Sequence, residues 1–233
     1  MRKMLIRYAF SIKEIKVDDT FHALEKIISK ERYEKMQKYR FEADRIRSLF
    51  AAVLLRYALK KHYGIEGKDI EIEKNEFGKP ELKNHKDIHF NVSHSGDWII
   101  CALSSYPVGV DVELNKEHDI EIAKRFYSER EYNTLLASDN AKELFITYWT
   151  LKESYVKAEG KGLSIPFDSF SFDIKNSGID LQVGEQLCDT YQFQVYKIAD
   201  DVQVATCSQE PIEGEFMVIG LDEIKGMLLN ILL

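Results

Sequence analysis

The 233-residue sequence predicts an α+β protein built from two similar α/β halves. Three observations lead there. Residue patterning traces a strand–helix–helix–strand–strand–strand order, and the same order starts again after Pro107. No low-complexity tract or long linker separates the two runs, so residues 1–106 and 107–233 are expected to share an interface. The chemically unusual residues gather around the junction near 104–107, and ligand sites favour such clefts between halves.

In chain order, residues 2–10 read as a strand, followed by helices over roughly 19–41 and 44–63. The second helix is the clearer. Ile46, Leu49, Phe50, Val53, Leu54, Tyr57 and Ala58 form one apolar stripe at helical spacing, and Gly64 supplies a stop. Strands are expected at 69–73, 88–92 and 98–104, separated by turn residues at Asn75, Gly78–Pro80 and Ser95–Asp97. In the second half, a strand at 108–114 leads to helices near 118–126, 129–138 and 142–159, then to strands at 168–174, 191–198 and 202–208. Residues 191–198 alternate as a half-buried strand should.

Composition narrows the classes. With 45% hydrophobic residues the chain can bury an ordinary core. The net charge of −7 argues against a general nucleic-acid binder, while leaving room for a local basic pocket. The N-terminal residues lack the apolar core and cleavage site of a secretory signal, and no run of 18 apolar residues marks a membrane span. Cys101, Cys188 and Cys207 are odd in number and widely spaced, which suits small core residues in a reducing cytoplasm.

Four motifs carry the candidate chemistry. In Gly109-Val-Asp111-Val-Glu113, strand alternation puts both carboxylates on one face, a hard oxygen pair suited to Mg²⁺ or to plain solvation. In the 142–159 helix, Phe145, Tyr148, Trp149, Lys152 and Val156 share an apolar face, with Glu153 and Lys157 on its flank. Those two form either a pocket rim or an ordinary surface pair. Lys152 sits inside the stripe, so its stem either snorkels to water or pairs with an inward acid such as Glu131. Glu131 itself also fits a capping box with Ser128. Ser93-His94-Ser95-Gly96 offers donors to a phosphate, and Gly78-Lys79-Pro80 holds a lysine in a tight turn.

Taken together and in order, FGKP (77–80), FNVSHSGDWIICAL (90–103), VGVDVEL (108–114) and FITYWTLKESYVKAEGKGLSIPFDSFSF (145–172) resemble the signatures of the phosphopantetheinyl transferases of the surfactin-synthetase-activating type. The matched stretches cover about a quarter of the 233 residues. The resemblance implies a phosphopantetheinyl transferase fold of two pseudo-symmetric halves with the active site in the cleft between them. It also implies transfer of the 4′-phosphopantetheine group from coenzyme A to a serine of an apo acyl or peptidyl carrier protein, with Mg²⁺ or Mn²⁺ as cofactor.

Position by position, the resemblance implies Asp111, Glu113 and Glu153 as metal ligands and Glu153, Lys157 and His94 as catalytic groups. It places coenzyme A against Arg32, Lys35, Arg47, Ser48, Gly78, Lys79, Pro80, Ser93, His94 and Lys157. Glu153 would accept the serine proton, directly or through a bound water. A carrier helix would dock beside the cleft, with Phe126 and Tyr127 as apolar anchors. A monomer acting in the cytoplasm, without nucleic acid or membrane partners, completes the expectation.

Overall fold

The structure is a computed structural model that describes residues 5–115 and 120–229. The first half opens with β1 (Ile6–Ser11) and continues through α1 (Asp19–Glu25), α2 (Lys30–Gln37) and the long α3 (Glu42–Tyr63). A short hairpin, β2 (Ile72–Lys74) and β3 (Pro80–Leu82), precedes β4 (His89–Ser95) and β5 (Trp98–Ser104). The second half runs through β6 (Val108–Leu114), α4 (Ala123–Phe126), α5 (Glu129–Leu136) and α6 (Ala141–Glu159). It continues with β7 (Phe170–Lys175), β8 (Gly178–Val183), β9 (Gln186–Cys188), β10 (Gln192–Ala199) and β11 (Val202–Ser208). The chain then forms β12 (Met217–Ile219) and α7 (Leu221–Leu229).

The repeated order is real at the level of topology. One sheet runs β12-β1-β5-β4 and another β10-β11-β6, so in each half the first strand pairs with the last, which pairs with the one before it. Helix α3 covers the first sheet, and α6 lies on β6 and β11 of the second. Between the sheets, Ala9, Ile100 and Ala102 meet Val108, Val110, Val112, Val202 and Val204 in a common apolar layer. Removing that continuous apolar surface from water is what joins the halves.

Several expected elements shift for local reasons. The helix expected over 19–41 is two helices, because the Ser29 side chain accepts the Arg32 amide and starts a new one. The segment expected as a strand at 69–73 begins with a 3-10 turn, Gly67–Asp69. The 118–126 helix is described only from a 3-10 turn at Ile120–Ile122 onward, and its first residues, like those of the strand at 2–10, lie outside the described residues.

The chain beyond Ser208 does not remain with the second half. β12 pairs in parallel with β1, and α7 packs on α3, where Lys61 and Tyr57 both donate to Glu223. The buried Arg7 guanidinium fastens this return, donating to the carbonyls of Glu213 and Gly214 and lying over the Phe216 ring. Among the described residues no helix is long and apolar enough to cross a membrane.

Candidate active site

The site forms where edge strand β4 of the first sheet meets edge strand β6 of the second. Side chains two apart on a strand share a face. On β4 these are Asn91, Ser93 and Ser95; on β6, Gly109, Asp111 and Glu113. They interlock: Ser93 Oγ donates to Asp111 Oδ1 at 2.9 Å, and Ser95 Oγ to Glu113 Oε2 at 2.9 Å. Asn91 Oδ1 accepts the Val110 amide at 2.8 Å, tying the two edges together.

Helix α6 closes this seam from above. Gly109 is what lets it: a Cβ there would stand 1.9 Å from the Ser154 carbonyl oxygen and 2.5 Å from the Ala158 nitrogen. Backbone therefore rests on backbone. The approach delivers Lys157 to Asp111 Oδ1 at 2.5 Å and to Ser93 Oγ at 3.1 Å, with Glu153 3.8 Å from the same ammonium.

Electrostatically the seam is a crowd of carboxylates around one ammonium. Burial pushes the Asp111 carboxyl up against the pull of Lys157 and Ser93. Burial and the nearby Asp111 charge raise Glu113; burial raises Glu153 against the pull of Lys157, and Asp111 adds to the rise. For Lys157, burial would lower the pKa, but Asp111 and Glu153 outweigh it and the net shift is upward. Asp111 Oδ2 is buried without a hydrogen-bond partner.

Basic side chains ring the outer side. His94 is exposed at the end of β4; the protein around it lowers its pKa, with Arg47, Lys157 and Arg32 adding to that effect. Arg47 is anchored by Asp44 at 2.5 Å and donates to the Gly96 carbonyl at 2.9 Å. Arg32 reaches back from α2 to the Ser48 carbonyl at 3.1 Å, while the Ser48 hydroxyl is buried without a partner. Lys35 is exposed on α2. In the β2–β3 turn, Gly78 takes a positive φ and Pro80 opens β3, but the Lys79 ammonium points inward to backbone carbonyls.

Sequence reasoning placed Ser93, Asp111, Glu113, Glu153 and Lys157 separately, and the fold brings them together. It read Ser95 only as a phosphate donor and gave Asn91 no role, so their bonds to Glu113 and to the Val110 amide went unforeseen. A matching signal was present, since the two-residue spacing of Ser93 and Ser95 equals that of Asp111 and Glu113.

The open alternatives for Lys152 and Glu131 close in an unexpected way, because both readings of Glu131 hold. The Lys152 ammonium is wholly buried, 2.8 Å from Glu131 Oε2, and donates to the carbonyls of Phe167 and Phe170. Glu131 also completes the capping box with Ser128 and accepts the Phe172 amide. Tyr127 is core rather than an exposed anchor: it is 3% exposed and its hydroxyl donates to the Phe145 carbonyl, because the chain turns inward just before the Ser128 cap. Phe126 is partly buried against Trp149 and Phe167.

Paired serines and carboxylates, an ammonium in their midst and arginines at the rim are a set of groups whose chemistry suits phosphate-bearing ligands. Two family models match in tandem: "4′-phosphopantetheinyl transferase, N-terminal" over residues 16–106 and "4′-phosphopantetheinyl transferase superfamily" over residues 107–207. The chain is 40% identical over 189 residues to the 4′-phosphopantetheinyl transferase Sfp of Bacillus subtilis, covering 79% of this chain and 83% of that one. It is 43% identical over 155 residues to the 4′-phosphopantetheinyl transferase gsp of Aneurinibacillus migulanus, covering 66% and 65%. The solved holo-[acyl-carrier-protein] synthase of Thermotoga maritima matches with a TM-score of 0.38 at 25% identity, over 43% of this chain and 61% of that one. The chain belongs to the Sfp-type 4′-phosphopantetheinyl transferases and is a transferase.

Proposed function

We propose that the protein transfers the 4′-phosphopantetheine group of coenzyme A to a serine hydroxyl of an apo acyl or peptidyl carrier protein, releasing 3′,5′-ADP. The observation that carries this reading is the seam joining Ser93, Asp111 and Lys157 with Glu153 and Glu113 beside them, in a chain of this family.

Whether a divalent ion suits the site rests on the donors. Among the described residues, no three His, Cys, Asp or Glu side chains are already gathered as a metal-binding group. Yet burial raises all three carboxyls, Asp111 adds to the rise at Glu113 and at Glu153, and Asp111 Oδ2 is buried and unpartnered, which suits a hard cation that takes oxygen ligands. These three residues would hold Mg²⁺, with Mn²⁺ as the alternative, and the ion would supply charge neutralisation for the pyrophosphate.

The chain's own residues do the remaining work. Coenzyme A lies with its nucleotide phosphates toward Arg32, Lys35, Arg47 and Ser48, its base near the Gly78–Pro80 turn, and its pyrophosphate toward Ser93, His94 and Lys157. The carrier serine Oγ attacks the phosphorus that bears pantetheine, and the bond from that phosphorus to the bridging oxygen breaks. 3′,5′-ADP leaves with the electron pair, while the serine proton passes toward the carboxylate of Glu153, directly or through a bound water. Burial raises the Glu153 pKa and makes it a better base than a solvated glutamate. Lys157 and His94 oppose the charge that builds on the transferring group and on the departing phosphate.

One chain supplies both walls of the cleft, which supports a monomer. The free Cys101, Cys188 and Cys207 support a reducing cytoplasm as the place of action.

Mass spectrometry of an apo carrier incubated with the enzyme, coenzyme A and Mg²⁺ tests the reading. A carrier heavier by one phosphopantetheine is expected, whereas ADP released with no change in the carrier would mean hydrolysis. The Glu153→Gln enzyme should lose transfer by about 10²–10⁴-fold, the usual worth of a general base. Unchanged turnover would remove Glu153 from the mechanism.

A further inference from the structure

Lys79 belongs to the first half, yet its ammonium holds two elements of the second. It lies 3.0 Å from the carbonyl oxygen of Ala158 and 3.4 Å from that of Val108. Val108 begins β6, the strand of Asp111 and Glu113, and Ala158 lies in the last turn of α6, the helix of Glu153 and Lys157. The last carbonyls of a helix lack partners within it and carry the negative end of its dipole, so an ammonium there satisfies both needs.

The turn that presents Lys79 is built for this contact. Asn75 Oδ1 accepts the amides of Phe77 and Lys79 at 3.0 and 2.9 Å, and Asn75 Nδ2 donates to the Gly160 carbonyl at 2.9 Å. Gly160 ends α6 at φ +72, and a Cβ there would stand 2.8 Å from Lys79 Cδ. The turn therefore lies flush against the end of the helix. At Gly109, between the two carbonyls that Lys79 bridges and the catalytic carboxylates, β6 and α6 touch through their backbones.

We propose that Lys79 is a positioning residue: its ammonium clamps the start of β6 to the end of α6 and so fixes the contact of Asp111 with Lys157. Its charge is consumed by these carbonyls and is not a phosphate contact. The proposal deepens the transferase reading and rests on it.

Steady-state transfer by Lys79→Met, Lys79→Arg and Asn75→Ala, with coenzyme A affinity measured by calorimetry and folding by thermal melts, tests it. Small misplacements of reacting groups cost up to about 100-fold in rate. Lys79→Met should accordingly lower kcat about 10–100-fold while KM and Kd for coenzyme A stay within about twofold. Lys79→Arg should not rescue kcat, since a planar fork does not fit where a point charge sits between two carbonyls. Asn75→Ala, which removes the bond to the Gly160 carbonyl at the end of α6 and the acceptor for the Phe77 and Lys79 amides, should lower kcat in the same sense, and its loss should be less than multiplicative with that of Lys79→Met. If Lys79→Met does not fold, Asn75→Ala and Lys79→Arg carry the test. A coenzyme A KM raised tenfold or more with kcat intact, rescue by arginine, or no change in either constant would overturn the proposal. Wild-type enzyme that adds nothing to any apo carrier would instead overturn the transferase reading itself.

Discussion

Both halves lay a long helix on strands arranged in the same order, but they set the distance between helix and sheet in opposite ways. In the first half, Tyr8 and Phe10 of β1 fill the space under α3, with Phe10 stacked on Phe50 at 5.0 Å between ring centroids and Tyr8 edge-on to Tyr57 at 5.4 Å. In the second, Gly109 of β6 leaves no side chain at all, and α6 settles onto the strand. One helix is propped away by aromatic bulk and serves stability. The other is drawn in until Lys157 reaches Asp111, and it serves the site.

The contrast predicts opposite sensitivities. Phe10→Ala should cost about 3–5 kcal/mol, the usual loss for a buried aromatic, while the folded fraction keeps its specific activity. Gly109→Ala should cost less stability in melts, about 1–3 kcal/mol for overpacking, yet nearly abolish transfer because the added methyl must lift α6 off β6. Equal loss of specific activity in both variants would break the comparison.

A second asymmetry lies in buried charge. The Lys152–Glu131 pair is wholly sealed beneath the aromatic faces of Tyr127, Phe170 and Phe172, and it links α5, α6 and β7. Lys152→Met leaves Glu131 uncompensated and should cost about 3–5 kcal/mol, whereas adding Glu131→Gln should recover a large part of it. A chemical denaturation cycle reads this directly, and additive losses would show that the two residues act independently.

What was legible in the sequence follows from the same physics. The α3 stripe, the Asp111/Glu113 alternation and the Ser128–Glu131 cap are local patterns, and each appears where its spacing requires. The β8–β9 hairpin and α7 were not among the expected elements, although Ile179, Leu181 and Val183 alternate with polar residues and Ile224 with Leu228 lies at helical spacing. By contrast, β12 is three residues long and owes its existence to a parallel pairing with β1, so no local period announces it. The destination of the Lys79 ammonium was hidden for a related reason. A lysine in a tight turn reads the same whether it faces a phosphate or the end of a distant helix. The polar seam itself depends on β4 and β6 being brought edge to edge, and only the matched two-residue spacing of serines and carboxylates hints at it.

The smallest expected effect concerns the cost of holding like charges together at this seam. Glu113 is raised above its ordinary value of 4.5 by burial and by Asp111. An acid that holds its proton more tightly when folded loses stability for the protein as pH rises from its unfolded pKa through its folded one. Glu113→Gln keeps an acceptor for the Ser95 hydroxyl and removes the charge. The variant should match the wild type in stability well below the ordinary value of 4.5 and exceed it at neutral pH. The expected gain is about 2–4 °C, the shift that 1 kcal/mol produces in a domain of this size. It should transfer phosphopantetheine poorly at the same time. Melting curves from pH 3 to 8 decide the matter: a gap that persists at pH 3, or a variant less stable at pH 7, would mean that Glu113 is held by favourable contacts rather than against the repulsion of its neighbours. The same melts on Phe10→Ala should show a stability loss that is flat with pH, because no charge is removed under α3.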